Sequence, residues 1–330
     1  MSRTLAPSRG AAPVPRGVGG PALIAVAHGS RDPRSAATMA AAVAEIAAAR
    51  PDLTVRLAFL DLCAPSVDQV VDDLAARGHT DAIVVPLLLG SAFHARVDLP
   101  ALLDQARHRH PRLRLTQADV LGADPRLITA LHDRVIEAVA GAPGGGVGAE
   151  AGTAVGAIGP VDATGAASRA TPTGASGPAD AASIAATSAG EGTSAVSGTV
   201  PAGFAAGVPA RGTGTLGIVV AAVGSRSAAA NLRTATVARL LAEVTGARTE
   251  ICFATVEPGI AAAVDRLRTR GARRIVVAPW FLAPGLLTDR LHAAAPDLRH
   301  ADVIGAHAAL TDVVLARYDS AFGAELELSA

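Results

Sequence analysis

Two stretches of this chain repeat one another, motif by motif and in the same order. ALIAVAHGSR (22–31) is answered by LGIVVAAVGSR (216–226), and FLDLCAPSVDQVVDDLAARG (59–78) by FATVEPGIAAAVDRLRTRG (253–271). AIVVPLLL (82–89) is answered by IVVAPWFL (275–282), and VLGADPRL (120–127) by VIGAHAAL (303–310). Chance apolar runs would not keep that order, so the chain holds an internal duplication, and any fold argued for one copy must also serve the other. In the first copy the apolar runs fall near 22–27, 55–60, 82–89 and 115–121. They are continuous rather than alternating, as suits strands covered on both faces. The segments between them have helical spacing: Val67, Val70, Val71 and Leu74 form one stripe, while Asp68, Asp72 and Asp73 face water. Strands alternating with helices imply a parallel sheet with right-handed crossovers. The expected fold class is therefore α/β, with two tandem domains, each a small parallel four-stranded sheet with helices on both faces.

A break in composition separates the copies. From Gly141 to Gly214 the chain is Gly, Ala, Ser, Thr and Pro with scattered charges and no leucine, and Phe204 is its only aromatic residue. Such a segment buries too little apolar surface to offset its ordering entropy, and a disordered linker is expected. Residues 1–20, rich in Pro, Gly and Arg, lack the apolar core of a signal peptide and read as a flexible leader. The expected domains are thus 21–140, carrying the site argued below, and 215–325. No run approaches the ~18 apolar residues of a membrane helix. Cys63 and Cys252 form no CxxC pair and read as reduced thiols buried in strands. A cytoplasmic protein is expected, acting away from membranes.

The basic residues narrow the chemistry. All 29 are arginine. Without lysine there is no Walker A loop and no pyridoxal Schiff base, so hydrolysis of ATP by a P-loop drives nothing here. Zero formal net charge argues against nucleic acid or an anionic membrane as the main partner. An anionic small molecule needs only a few local arginines and stays open. GxGxxG after a first strand, HEXXH, zinc-ribbon CxxC and the GxSxG elbow are all missing from the sequence.

In open parallel sheets, ligands bind outside the carboxyl ends of the strands. Just past the first three strands of the first copy stand His28, Asp61 and His94. Their counterparts by motif position in the second copy are Val223, Thr255 and Leu287. A histidine or aspartate kept for structure would serve both copies, so joint replacement points to one retained site, in the first copy. His79, His108, His110, His132, His292 and His300 fall in helical or turn segments and are expected at the surface.

VAHGSRDP (26–33), FLDLCAPSVDQ (59–69) and VVPLLLGSAFHARVDLP (84–100) resemble the sirohydrochlorin chelatases, class II enzymes that insert cobalt or iron into an early tetrapyrrole. WFLAPGLLTDRL (280–291) is similar to the degenerate C-terminal repeat of the long two-repeat members. The resemblance implies that His28 and His94 are the catalytic pair and, with Asp61, handle the metal. Asp61 stands where the family usually has glutamate, which keeps a carboxylate and shortens its reach by one methylene. Sirohydrochlorin carries eight carboxylates, so Arg31, Arg96, Arg226 and Arg290 are expected to anchor it, with the backbone around Gly29 and Ser30. No cofactor beyond the substrate metal ion, Co²⁺ or Fe²⁺, is implied. A chain with both repeats can form its cleft alone, and a monomer suffices. Rival readings are a ferrochelatase for a later porphyrin and a tetrapyrrole or metal carrier without turnover.

Overall fold

The computed structural model describes residues 22–90, 98–141 and 215–328. The expected leader, 1–20, and residues 142–214 of the expected linker lie outside the described residues. The first copy runs β1 (Ala22–Ala27), α1 (Pro33–Ala49), β2 (Val55–Phe59), α2 (Val67–Ala76), β3 (Asp81–Pro86), α3 (Leu99–Arg109), β4 (Arg114–Gln117) and α4 (Pro125–Ala140). The second runs β5 (Thr215–Ala222), α5 (Ala228–Thr245), β6 (Arg248–Phe253), α6 (Ile260–Thr269), β7 (Ala272–Pro279), α7 (Leu286–Ala294), β8 (Arg299–His300) and α8 (Ala308–Leu328). Both sheets are parallel, with orders β2-β1-β3-β4 and β6-β5-β7-β8. The α/β class and the tandem arrangement expected from the repeats hold. No described helix is long and apolar enough to cross a membrane.

Helix starts follow from local chemistry. Asp32 caps α1, accepting from the Arg34 N–H at 3.0 Å, with Pro33 at the first helical position, where its missing N–H costs nothing. Ser66 and Gln69 close a reciprocal capping box on α2, whose Val67, Val70, Val71 and Leu74 are all buried.

The strands sort their side chains by alternation. Along β1, Ala22, Ile24 and Val26 face a core completed by α2 and α3, through residues such as Leu74 and Leu103. Leu23, Ala25 and Ala27 face a second core that is continuous with Ile218, Val220 and Ala222 of β5. The inner faces of the two sheets thus share one apolar interior.

That interior is built by exchange. Helix α4 packs on β7 and α5 of the second copy, and α8 packs on β3 and α1 of the first. The two exchanged helices also pack on each other. Polar bonds cross the same boundary: Arg317 of α8 donates to the carbonyls of Val120 (3.1 Å) and Leu121 (3.0 Å). In return, Arg134 of α4 donates to the Ile304 carbonyl at 3.1 Å. Both copies therefore belong to one compact body, each lending its last helix to the other's sheet. Nothing in the apolar pattern distinguishes a helix that covers its own sheet from one that covers its neighbour's.

Candidate functional site

Strand β1 lies between β2 and β3, so the chain leaves its carboxyl end toward one neighbour and returns on the other side. That reversal opens a crevice beyond β1, the usual ligand position in such sheets. His28 is the first residue past β1 and Asp61 the second past β2. The structure brings these two together: the Asp61 N–H donates to the His28 carbonyl at 3.0 Å. Between them Gly29 has φ +96°, and a Cβ there would lie 1.7 Å from the Asp61 carbonyl oxygen. Only glycine permits that approach and that φ.

Both side chains are exposed at the rim. The Asp61 Oδ1 accepts from the Leu62 N–H at 2.7 Å, which draws the carboxylate back over its own turn. Leu62 itself holds φ +62° and is 51% exposed. A left-handed leucine costs about 1–2 kcal/mol, and strain of this kind tends to gather at functional turns. His94 and Arg96 lie outside the described residues. Among the described residues, no set of three or more His, Cys, Asp or Glu side chains is placed to hold a metal ion.

One expectation needs correction here. Cys63 is not a strand residue but lies half-buried in the turn after β2, where its thiol bonds the backbone of Ser30. The Ser30 N–H is directed at that sulfur, 3.4 Å away. Cys252 does sit fully buried, in β6, and burial pushes its thiol pKa up to about 12.

The second copy rebuilds the same turns with Val223 and Thr255 in place of His28 and Asp61. The Thr255 N–H donates to the Val223 carbonyl at 3.1 Å, matching the Asp61–His28 bond. Its hydroxyl donates to the same carbonyl at 2.8 Å, and Gly224 has φ +91°. The third counterpart differs. The connection from β3 to α3 spans residues 87–98, whereas that from β7 to α7 spans only 280–285. Leu287 consequently sits in the first turn of α7, so a shortened connection, rather than a one-for-one exchange, replaces the segment that holds His94.

Arg31, Arg226 and Arg290 are all exposed. Arg34 and Asp289 were not expected at this rim. Arg34 bonds its own helix cap, Asp32, at 2.6 Å and reaches Asp289 of α7 at 2.5 Å. Arg34 and Asp289 are both about half exposed, so the pair contributes little to stability, but it ties α1 to α7 across the two copies. Just before α7, a Cβ on Gly285 would lie 4.0 Å from Asp32 and from the Ser30 hydroxyl, so the second copy borders the His28 turn. No sequence signal linked Arg34 to Asp289, which is 255 residues away. Four histidines expected at the surface, His79, His110, His132 and His300, are half-buried. His132 has its Nε2 buried, and His300 is half-buried and stacked on His292 at 3.9 Å.

Comparison with known proteins follows the same division. The CbiX family model matches residues 22–138 and again 217–321. A sirohydrochlorin ferrochelatase of Priestia megaterium is 31% identical over 117 residues, covering 35% of this chain and 44% of the relative. A sirohydrochlorin cobaltochelatase of Methanopyrus kandleri is 32% identical over 139 residues, covering 36% of this chain and 96% of the relative. The match thus spans less than half of the Priestia protein and nearly all of the Methanopyrus one. The solved structure of SirB from Bacillus subtilis with Fe³⁺ has a TM-score of 0.60 at 19% identity, covering 92% of this chain and 96% of that one, and so shares the fold. With both repeats matched, over well more than half of the sequence, the chain belongs to the CbiX family.

Proposed function

We propose that the protein is a sirohydrochlorin chelatase that inserts Co²⁺ or Fe²⁺ without ATP, at one site in the first copy. The observation that carries this reading is the His28–Asp61 rim, held together by the Asp61–His28 backbone bond and rebuilt with Val223 and Thr255 in the second copy. Membership of a family whose curated relatives are named sirohydrochlorin chelatases supports the substrate class.

Inserting one divalent ion releases two pyrrole N–H protons. Neutral imidazoles suit both tasks, as borderline-soft ligands for the incoming ion and as bases with pKa values near neutrality. His28 and His94 take these roles, and Asp61 serves as an auxiliary ligand or orients the ion. The two ring protons leave through the imidazoles to solvent, which balances the charge of the bound metal. Arg31 and Arg96 from the first copy, with Arg226 and Arg290 from the second, pair with the substrate carboxylates. Gly29 lets the backbone approach the substrate closely at the turn, beside Ser30. A chain lacking lysine has no P-loop, in keeping with a reaction that needs no ATP.

The test is optical. Purified protein mixed with sirohydrochlorin and either ion shifts the tetrapyrrole absorption faster than buffer does, through many product equivalents per chain. A single equivalent would instead identify a carrier, and preference for protoporphyrin would identify a later ferrochelatase.

A further inference from the structure

The backbone of Ser30 is gripped twice by one side chain. Its N–H donates to the Cys63 Sγ at 3.4 Å, and its carbonyl accepts from the same thiol at 3.0 Å. In the second copy the matching residue is Ser225, and the same two backbone groups are satisfied by a different side chain. The Ser225 N–H donates to Asn231 Oδ1 at 2.8 Å, and the Ser225 carbonyl accepts from Asn231 Nδ2 at 2.8 Å. A thiol in one copy and an amide in the other thus meet one requirement, a donor and an acceptor on a single side chain. The turn needs that clamp wherever it is built.

The two clamps differ in what they connect. Asn231 reaches back only six residues, from α5, so its two bonds to Ser225 stay within one local turn. Cys63 reaches across 33 residues, from the turn that also carries Asp61. With the Asp61–His28 backbone bond and the close approach of Gly29 to the Asp61 carbonyl, it makes a third tie between the two turns. We infer that Cys63 is a positioning residue, whose thiol fixes His28 and Asp61 relative to one another and is neither ligand nor nucleophile. This rests on the chelatase reading only for its catalytic readout.

The experiment uses the full chain as wild type, Cys63→Ala, Cys63→Ser and Asn231→Ala. Three quantities are measured: kcat for Co²⁺ insertion into sirohydrochlorin, Tm, and the titration midpoint of the His28 imidazole by NMR. Cys63→Ala is expected to lower kcat about tenfold or more and to move the His28 midpoint, since small displacements of catalytic groups are costly. Cys63→Ser, which keeps a one-atom donor and acceptor, restores kcat to within about threefold of wild type. Asn231→Ala removes the equivalent bonds, lowers Tm as Cys63→Ala does, and leaves kcat within about twofold. Wild-type kcat in Cys63→Ala, or equal loss of kcat in Asn231→Ala, overturns the positioning role. Should the wild type insert no metal, the chelatase reading fails separately, and the NMR midpoint decides alone: an unmoved His28 in Cys63→Ala refutes the inference.

Discussion

Substituting Gly29 by alanine tests the geometry of the rim at its tightest point. Alanine at φ +96° carries a left-handed cost of about 1–2 kcal/mol. Its Cβ would also start 1.7 Å from the Asp61 carbonyl oxygen, a backbone atom that cannot swing aside as a side chain can. One turn must then retreat, at an overpacking cost of about 1–3 kcal/mol. The sum, about 2–5 kcal/mol, corresponds to a fall in Tm of about 4–20 °C for a body of this size. Gly78→Ala is the control, because its φ is +82° but its Cβ would meet nothing within 4 Å. It should lose only the backbone part, about 1–2 kcal/mol. Gly224→Ala falls between, since its nearest neighbours are side-chain atoms: Val256 Cγ2 at 2.8 Å, Phe253 Cβ at 2.9 Å and Thr255 Oγ1 at 3.0 Å. Thermal unfolding followed by circular dichroism ranks the three variants, and chelatase rate separates them again. Gly29→Ala should lose activity while Gly224→Ala keeps it. A Gly29→Ala protein as stable as Gly78→Ala would refute the argument that the two turns are pressed together.

Replacing Arg31, Arg226 or Arg290 singly by glutamine is expected to raise KM for sirohydrochlorin a few-fold, about 0.5–1 kcal/mol each at an exposed position, with kcat nearly unchanged in steady-state assays. Burial depresses the pKa of His300, an effect the Ala295 carbonyl opposes and His292 adds to. The unfolded chain therefore takes up the proton first, so stability is intact above pH 6.5 and declines as pH falls below it. A His300→Gln variant whose Tm falls on acidification as steeply as wild type would contradict that assignment. Asp124→Ala removes the cap of α4, which accepts from the Arg126 N–H at 3.1 Å, and should cost about 1–2 kcal/mol. Because α4 packs on the second sheet, calorimetry should show one lowered transition for both copies and not two separate ones.

The repeat made the sheets, the helices and the crevice legible. Burial of β1 on both faces and the apolar stripe of α2 follow directly from residue spacing, and the strand-end rule then placed His28 and Asp61 at one rim. The exchange of α4 and α8 was not legible, because an apolar helix face carries no record of which sheet it covers. Motif counting also missed the shortened connection before α7, since LLTDRL keeps its composition while losing the residues ahead of it. Cys63 read as a buried strand thiol because it follows an apolar run. Its role depends on Leu62 turning left-handed and swinging the sulfur toward Ser30, a backbone event that composition does not encode. Arg34 and Asp289 meet only because folding brings the copies together.

One comparison bears on the single-site claim most directly: the initial rate of Co²⁺ insertion into sirohydrochlorin by His28→Ala, His94→Ala and Val223→Ala, side by side with wild type. The account predicts a loss of about 100-fold or more in each histidine variant, as removal of a general base gives, and a near wild-type rate in Val223→Ala. Full rates in both histidine variants would contradict it.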